Sequence, residues 1–528
     1  MWKKLLITGC MAFCLLGGSV LSAQPSCETK EEVTSEQLNR TKKGLDAMLK
    51  ELKNNSWYQS ELNKVASLAT PSEQMQAYKS LAGRLISVLE IQAELEWMKP
   101  EAIQEALGIM KKSSGFDVNL AEKRFSELKS LLAGGFAGIY TGDQQALDKA
   151  NKVLALKREL MLMSPDVNVD KMLTVKFNLG ERANFVGAGS LGIQPNNWSN
   201  LSSASRKNFK AELVELSGLK SGNLQEKTVY KPAVEGSSVT DLVLNWDGKR
   251  LMFTALDTTR RWQVHEINLE GGNARQVTNI PEPDLEFFDA TYLPDGRMLA
   301  ISNIGYQGVP CVNGSDAVGN MVLYDPSNGD LRRLTFDQDA NWHPVVMANG
   351  KVMYVRWEYT DLTHYFSRIV MHMNPDGTEQ KSLYGSGSMF PNSIFDVQPL
   401  PKRTNRFVGV ISGHHGVARS GRLMIFDPAK SRKEEKGMIQ ELPFRGRPII
   451  PEVKDELVNG VWPQFIKPYP LTDETFLVTA KLSPYSRWGI YLVDIYDNLT
   501  LVANADDAGM IYSVPVKSTP VPPAIPDR

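Results

Sequence analysis

Side chains that could bind a metal or transfer protons are concentrated in one part of this 528-residue chain. Five of its six histidines lie between His343 and His415, in segments that also hold a cysteine and several charged residues. Imidazole, thiolate and carboxylate groups are the usual ligands of transition metals and the usual acids and bases of catalysis. The candidates for a site are Cys311, His343, Arg356, Glu358, Asp361, His364, His414 and His415.

Each group of candidates has two interpretations. Cys311 and His343 are possible ligands of zinc or another transition metal, but no third ligand follows at a typical spacing, and both could equally be packing residues. Gly413-His414-His415-Gly416 either ligates a metal or only forms a sharp loop, since adjacent side chains point apart in an extended chain. Arg356, Glu358 and Asp361 either bind a polar ligand or form a structural ion network.

A repeat of short apolar runs and tight turns must position these residues. In the stretch 339–377, DANWHP and NGKVMYVRWEYTD are joined by an Asn-Gly turn, and SRIVMHMNPDG then closes with Asp-Gly. The pattern recurs about every 50 residues and gives five clear units, a period typical of four-stranded propeller blades. MLTVKF, AELVELSGL and EKTVYKP predict strands of a sixth, irregular blade. We therefore expect a mainly β fold, a six-bladed β-propeller over residues 165–510.

The repeat also predicts which residues share an end of the propeller. Tight turns such as those at Gly296, Gly350 and Gly377 belong to one face, and the longer connections belong to the other. All the candidates listed above fall in these longer connections, including His343 in DQDANWHP. The sequence thus predicts a polar pocket at the loop-rich mouth of the channel, where propeller ligands usually bind. Trp342, Trp357 and Trp462 are expected to pack between blades.

Three further segments surround the predicted propeller. Residues 1–23 have two lysines, an apolar core and a small-residue cleavage site, typical of a secretory signal peptide. Residues 24–163 favour an α-helical domain of about five helices, with a capping box and proline in Thr70-Pro71-Ser72-Glu73. Residues 511–528 are proline-rich and predict an extended tail.

Composition and cysteine usage exclude several classes of function. Lys plus Arg is 59 against 60 for Asp plus Glu, so no basic field is available to attract nucleic acid. No transmembrane segment is expected once the signal is removed. Cys27 and Cys311 then remain, and whether they pair is left open. No Cys-x-x-Cys-His occurs, so covalent c-type haem is not expected. The Gly-rich run at 187–192 is followed by Pro195, which argues against dinucleotide binding.

Several segments resemble one known family. SLGIQPNNW, LTFDQDANWHP, RWEYTDLTHYFSRI, HMNPDGT, ISGHHG, LMIFDPAK and WGIYLVDIYDN are similar to the hydrazine synthase alpha-subunit middle domain and related exported proteins. The resemblance covers about residues 165–528 and implies a six-bladed propeller. Relatives often have Cys where His343 stands, which implies a thiol pair or metal site with Cys311. Hydrazine synthesis itself is not expected, because the haem-binding motif of the flanking domains is missing.

The residues and the resemblance together favour an exported binding or assembly module, periplasmic or extracellular, with a protein partner or a small polar ligand. The alternative is an enzyme that uses a metal or redox centre in the loop-rich mouth. The sequence leaves open whether any catalysis occurs.

Overall fold

The computed structural model describes residues 33–178, 199–358, 368–413 and 417–528, apart from 205, 208 and 507. Of the expected segments, residues 1–32 with the predicted signal peptide and Cys27 lie outside this description, as does the Gly-rich run at 187–192.

The described N-terminal region is helical, as the sequence predicted, but it contains six α-helices where about five were expected. Thr70 and Glu73 form the predicted capping box: the Thr70 hydroxyl accepts from the Glu73 N–H at 3.2 Å, and the Glu73 carboxylate accepts from the Thr70 N–H at 3.1 Å. The helices are α1 (Ser35–Lys50), α2 (Ser56–Ala66), α3 (Pro71–Glu96), α4 (Pro100–Met110), α5 (Val118–Leu132) and α6 (Gln144–Leu162). None of the helices in the described residues is both long and apolar enough to cross a membrane.

The remainder is built from short strands separated by tight turns. The first twelve strands are β1 (Lys171–Asn178), β2 (Lys210–Ser217), β3 (Gln225–Tyr230), β4 (Val239–Leu244), β5 (Arg250–Leu256), β6 (Trp262–Asn268), β7 (Arg275–Gln276), β8 (Phe287–Tyr292), β9 (Met298–Ser302), β10 (Asn320–Tyr324), β11 (Leu331–Arg333) and β12 (Asn341–Val346). They are followed by β13 (Val352–Trp357), β14 (Arg368–Met373), β15 (Lys381–Tyr384), β16 (Ser393–Pro399), β17 (Phe407–Ser412), β18 (Arg422–Phe426), β19 (Met438–Leu442), β20 (Gln464–Pro470), β21 (Thr475–Lys481), β22 (Gly489–Asp494), β23 (Leu499–Ala503) and β24 (Gly509–Pro515).

These strands form antiparallel four-stranded units in a propeller-like β fold. Five units use four consecutive strands, β4–β7, β8–β11, β12–β15, β16–β19 and β20–β23, and a single parallel pair between Arg368 and Ser393 links two of them. The other unit has the order β24-β1-β2-β3, so the chain's last strand pairs with its first. The strands β4, β8, β12, β16, β20 and β24 each contact the next, and β24 contacts β4. These six inner strands therefore surround a central channel.

The position of β24 corrects the sequence-based boundary of the tail. Residues 511–515 were assigned to the proline-rich tail, but they belong to the inner strand that completes the first sheet. Pro515 is tolerated because it ends the strand, where a missing N–H costs little. The following residues run along the hairpin turns: the Thr519 N–H donates to the Trp246 carbonyl at 2.9 Å, and the Pro523 carbonyl lies so close to Gly350 that a Cβ there would clash with it.

Large aromatic side chains fill the space between neighbouring sheets. Trp342 and Trp357 are buried, and the Trp342 ring centroid lies 5.8 Å from that of Phe395 in the next unit, in agreement with the packing predicted for Trp342. The helical region packs on β23 of the last sheet. There the buried Lys157 ammonium donates to the Leu499 and Trp97 carbonyls, both at 2.7 Å, and Arg487 pairs with Glu90.

Candidate functional site: a ring of six polar residues

Each inner strand carries a β-bulge at the same place. The pairing of β4 with β5, for example, shifts between Thr240 and Val243, so that two residues of β4 oppose one of β5. The first residue of every bulge has a positive φ although none is glycine. The six residues are Asp241 (φ 55°), Asp289 (51°), His343 (54°), Asp396 (51°), Lys467 (50°) and Tyr512 (75°).

A positive φ is uncommon for non-glycine residues and costs on the order of 1–3 kcal/mol. A bulge also bends its strand and redirects the side chain. In this chain the six bulges turn one polar side chain per sheet into the channel, where together they line two adjoining cavities. We call this set of residues the polar ring. Repetition of a costly conformation at six equivalent positions indicates that the placement of these side chains matters.

Hydrogen bonds within the ring join four of the six neighbouring pairs of inner strands. The Asp241 carboxylate accepts from the Asp289 N–H at 3.0 Å, and the Asp289 carboxylate accepts from the His343 N–H at 2.7 Å. Asp396 accepts in the same way from the Lys467 N–H at 3.0 Å. The Tyr512 hydroxyl accepts from the Asp241 N–H at 2.7 Å, and this bond closes the ring.

Ion pairs add a second set of contacts within the ring. His343 lies between two carboxylates: its Nδ1 is 3.2 Å from Asp289 Oδ2, and its Nε2 is 3.4 Å from Asp396 Oδ1. The Lys467 ammonium is 2.9 Å from Asp396 Oδ1 and 5.4 Å from the centre of the Tyr512 ring. Three of the ring's side chains are therefore held by two partners each.

Burial and these charges set the protonation states. Burial raises the pKa of Asp241, and the nearby Asp289 carboxylate raises it further. Burial would also raise the pKa of Asp396, but the attraction of Lys467 and His343 outweighs it and lowers that pKa. For Lys467, burial favours the neutral amine, yet the carboxylate of Asp396 raises its pKa well above the usual value. Asp396 and Lys467 are thus charged, and Asp241 is the carboxyl group that most readily takes a proton.

One side of the ring is covered by residues from the long connections. Arg419, between β17 and β18, is buried over the rings of Trp342 and Phe395 at 4.8 and 5.0 Å, and it donates to the Ser199 carbonyl. Burial lowers the pKa of its guanidinium to about 10. Together with Asn200 and Leu201 it leaves a cavity of only about 20 Å³ on this side.

The other side of the ring opens into a larger cavity of about 260 Å³. The polar ring forms its floor, and mostly apolar side chains form its walls, including Trp246, Tyr292, Val345, Tyr469 and Val514. Lys517 and Thr519, which follow β24, line its rim on the side of the hairpin turns. A concave apolar site with a few converging polar groups is the usual form of a small-molecule site. We call it the central cavity.

Of the eight residues predicted from the sequence, His343 is the one that the structure places in the ring. The sequence placed His343 in a connection, and this was wrong. β12 already begins at Asn341, so His343 lies in the strand, and the bulge directs its side chain into the channel. Arg356 and Glu358 form a hydrogen-bonded ion pair at 2.6 Å, and Asp337 lies 3.5 Å from Arg356. Arg356 and Glu358 do not line the central cavity, and the choice between a ligand site and an ion network with Asp361 stays open because Asp361 lies outside the described residues.

The remaining predicted residues are not tested. Asp361, His364, His414 and His415 lie outside the described residues, and so does the side chain of Cys311, whose backbone belongs to a short 3₁₀ turn at Pro310–Val312. A metal site shared by Cys311 and His343 stays a prediction. Among the residues that the structure describes, no group of three or more His, Cys, Asp and Glu side chains is arranged to hold a metal ion.

Another pocket is formed by the connections before β2, before β8 and after β9. It measures about 450 Å³ and is lined by Arg206, Glu286, Tyr306 and Asp316, among others. Of the predicted residues whose side chains the structure describes, His343, Arg356 and Glu358 do not line it.

Sequence reasoning missed five of the six ring residues, although a signal was present. Five of the six ring residues, all except Tyr512, precede the hairpin turn after their strand by the same interval, which becomes visible when the turns are aligned. The pairs are Asp241 before Asp247, Asp289 before Asp295, His343 before Asn349, Asp396 before Lys402 and Lys467 before Asp473. The residues predicted from the sequence were histidines or residues of long connections, and neither criterion selects this spacing.

Comparison with solved structures supports the propeller-like fold. Hydrazine synthase of Kuenenia stuttgartiensis matches with a TM-score of 0.52 and 14% identity, over 68% of this chain and 48% of that one. The match thus spans about half the length of that chain, and at this identity it shows the fold alone. TolB of Acinetobacter baumannii (TM-score 0.31, 14% identity, 53% and 67% covered) and a putative TolB of Agrobacterium tumefaciens (0.30, 15%, 49% and 86%) are weaker matches. No family model and no curated protein matches the sequence.

Proposed function

We propose that this protein is an exported binding module built on a six-bladed propeller, with its ligand site in the central cavity. The observation that carries the proposal is the contrast between the cavity's apolar walls and its polar floor, where six strained residues are directed at one point. Such a floor can orient a small polar ligand while the walls bury its apolar part. The signal-like sequence of residues 1–23 supports export.

A small ligand fits the central cavity better than a protein segment does. The volume of about 260 Å³ lies just below the range typical of sites for drug-sized ligands, and the 3₁₀ turn at Leu201–Ser203 together with Arg419 narrows the channel on the far side. A protein partner would need the outer surface of the sheets or the helical region. We therefore favour a small polar molecule over a protein partner as the ligand of the central cavity.

A cavity-filling variant tests the proposal. Gln398 lines the cavity and is partly exposed to it, so Gln398→Trp should fill the space with little disturbance of the core. Wild type and variant are screened by thermal shift against a library of amines, amino acids, sugars and carboxylates. Binding to the folded state raises the melting temperature. We expect hits for the wild type that Gln398→Trp abolishes.

The matched control is Gln225→Trp, an exposed position on the outer strand β3 that does not line the cavity. It should retain every hit. Hits that survive equally in Gln398→Trp would place the ligand site elsewhere, and the absence of any hit would favour an assembly role.

A second candidate function is a metal- or redox-dependent enzyme, and one observation favours it. His343 lies between two carboxylates at the floor of a cavity, an arrangement that can orient an imidazole for proton transfer or metal binding. The test is the metal content of protein purified from its native compartment, for wild type, Cys311→Ala, His343→Ala and the control His372→Ala in β14. Loss of metal in the first two variants alone would support this function, and unfolding without loss of any metal would identify packing residues.

A further inference from the structure

The charges around the central cavity suggest the chemical class of its ligand. Three carboxylates of the polar ring line it, from Asp241, Asp289 and Asp396, together with the Lys467 ammonium and the His343 imidazole, which lies between two of these carboxylates. The second buried cation, Arg419, lines only the small cavity on the far side. At the rim, Lys517 adds a further positive charge. The floor therefore has an excess of negative charge, which disfavours an anionic ligand.

The positively charged residues of the ring form ion pairs with only two of its three carboxylates. Lys467 is paired with Asp396 and His343 lies beside Asp289, both within 3.2 Å. For Asp241, in contrast, no Lys, Arg or His nitrogen of the described residues lies within ion-pair distance. The Asp241 carboxylate is instead held by hydrogen bonds, from the Asp289 N–H at 3.0 Å and from the Thr240 hydroxyl at 3.2 Å. A ligand with a positive charge and several N–H donors would supply the counter-charge that these bonds do not.

The walls of the cavity fit the remainder of such a ligand. Trp246, Tyr292, Tyr469 and Tyr512 line it, and aromatic faces attract cations as well as burying apolar groups. The Tyr512 ring already lies near the Lys467 ammonium, at 5.4 Å.

We infer that the central cavity binds a small primary amine in its ammonium form, with its N–H groups directed at Asp241 and its apolar part against the aromatic walls. This inference rests on the proposed function, because it names the ligand class of the same cavity. An ammonium group has three donors and no acceptor, which matches a floor rich in acceptors.

The experiment uses three probes of nearly equal shape and different charge: benzylamine, benzyl alcohol and benzoate. Their binding to the full chain at pH 7 is measured by calorimetry, and n-butylamine, 1-butanol and butyrate are a smaller series of the same design. We expect the amines to bind at least about tenfold more tightly than the alcohols. Carboxylates should not bind. Asp241→Asn should reduce the ratio of amine affinity to alcohol affinity to about one.

Asparagine suits this test because its side-chain oxygen can still accept from the Asp289 N–H and because it tolerates a positive φ. Asp330→Asn, in an exposed hairpin turn, changes the net charge equally and should have no effect. If Asp241→Asn does not fold, the relative affinities of the amine, alcohol and carboxylate probes for the wild type still test the inference.

The outcomes separate the two proposals. Amine binding that Gln398→Trp abolishes and that exceeds alcohol binding supports both. Alcohol or benzoate binding that depends on the cavity, without a preference for the amine, overturns the inference and leaves the proposed function. Amine binding that Gln398→Trp does not affect overturns both. The absence of binding by all six probes at millimolar concentration overturns the inference.

Discussion

The hydroxyl of Tyr512, in the last strand of the chain, accepts a hydrogen bond at 2.7 Å from the N–H of Asp241, in the first strand of the next sheet. The same hydroxyl lies 2.7 Å from the hydroxyl of Thr240. Tyr512 thereby joins the sheet completed by β24 to the following sheet. The contact links residues far apart in sequence and closes the polar ring.

Removal of this hydroxyl should therefore destabilise the propeller. Tyr512→Phe leaves the Asp241 N–H without its partner in a buried setting, which typically costs about 1–3 kcal/mol. We expect a lower melting temperature, measured by circular dichroism. Tyr306→Phe, at a residue with 60% of its surface exposed, is the control and should change little. An unchanged melting temperature for Tyr512→Phe would show that the ring bond contributes nothing to closure.

The pair Lys467 and Asp396 should show strong coupling. Both side chains are buried, at 12% and 4% exposure, and Lys467→Met would leave the Asp396 carboxylate without its nearest cation. Breaking one side of a buried pair typically costs about 3–5 kcal/mol, whereas replacing both sides costs less. The double variant Lys467→Met with Asp396→Asn should therefore be more stable than Lys467→Met alone, as measured by thermal melting. If the double variant lost as much thermal stability as the two single variants together, the expected coupling would be contradicted.

The fold could be predicted from sequence because its signals are local. Asp-Gly and Asn-Gly turns, alternating apolar residues and the Thr70 capping box each act within a few residues, so the strands and helices follow from them. The pairing of β24 with β1 has no local signal, because it joins the two ends of the β region, and its prolines resemble an unstructured tail.

The candidate site could be predicted only in part, for a related reason. His343 attracts notice by its chemistry, but Asp241, Asp289 and Asp396 look like ordinary turn-flanking residues in sequence. Their role depends on a bulge with positive φ, which neither composition nor apolar periodicity reveals. Lys467 and Tyr512 are harder still to predict as channel residues. Lys467 lies in a strand that contains two prolines, and Tyr512 lies close to the C-terminus.

The contact between helices and propeller should depend on pH through Glu94. Burial, and then the neighbouring Glu90 carboxylate, raise the pKa of Glu94 from 4.5 to about 7. Between these values the folded state holds a proton that the unfolded state has released, so stability falls as pH rises through that window. Glu94→Gln cannot release a proton and should flatten the fall in melting temperature between about pH 4.5 and 7.

Glu96→Gln is the matched control for that measurement. Glu96 lies in the same helix, pairs with Lys53 at 3.1 Å and has a half-exposed side chain. Its variant should keep the wild-type pH profile. A Glu94→Gln profile that parallels the wild type would show that another group causes the dependence.

The chain should carry no covalent haem, because Cys-x-x-Cys-His is absent from its sequence. Protein purified from its native compartment is expected to show no haem-stained band after denaturing electrophoresis. A band that survives denaturation would contradict the prediction and would strengthen the enzyme alternative.

The segment after β24 should behave as a strap on the hairpin turns. The Asp527 carboxylate forms two hydrogen bonds with the Arg297 guanidinium, at 2.7 and 2.9 Å, and lies 3.3 Å from Arg332. Because these side chains are partly exposed, Asp527→Asn should cost only about 0.2–1 kcal/mol of stability. Its larger effect should be on the segment itself, with faster cleavage of residues 516–528 in limited proteolysis, followed by mass spectrometry.

Asp330→Asn is the control and should be cleaved like the wild type. If high salt accelerates cleavage of the wild type and not of Asp527→Asn, the ion pairs hold the strap, whereas equal cleavage of both proteins at low salt would show that Thr519 and the prolines suffice.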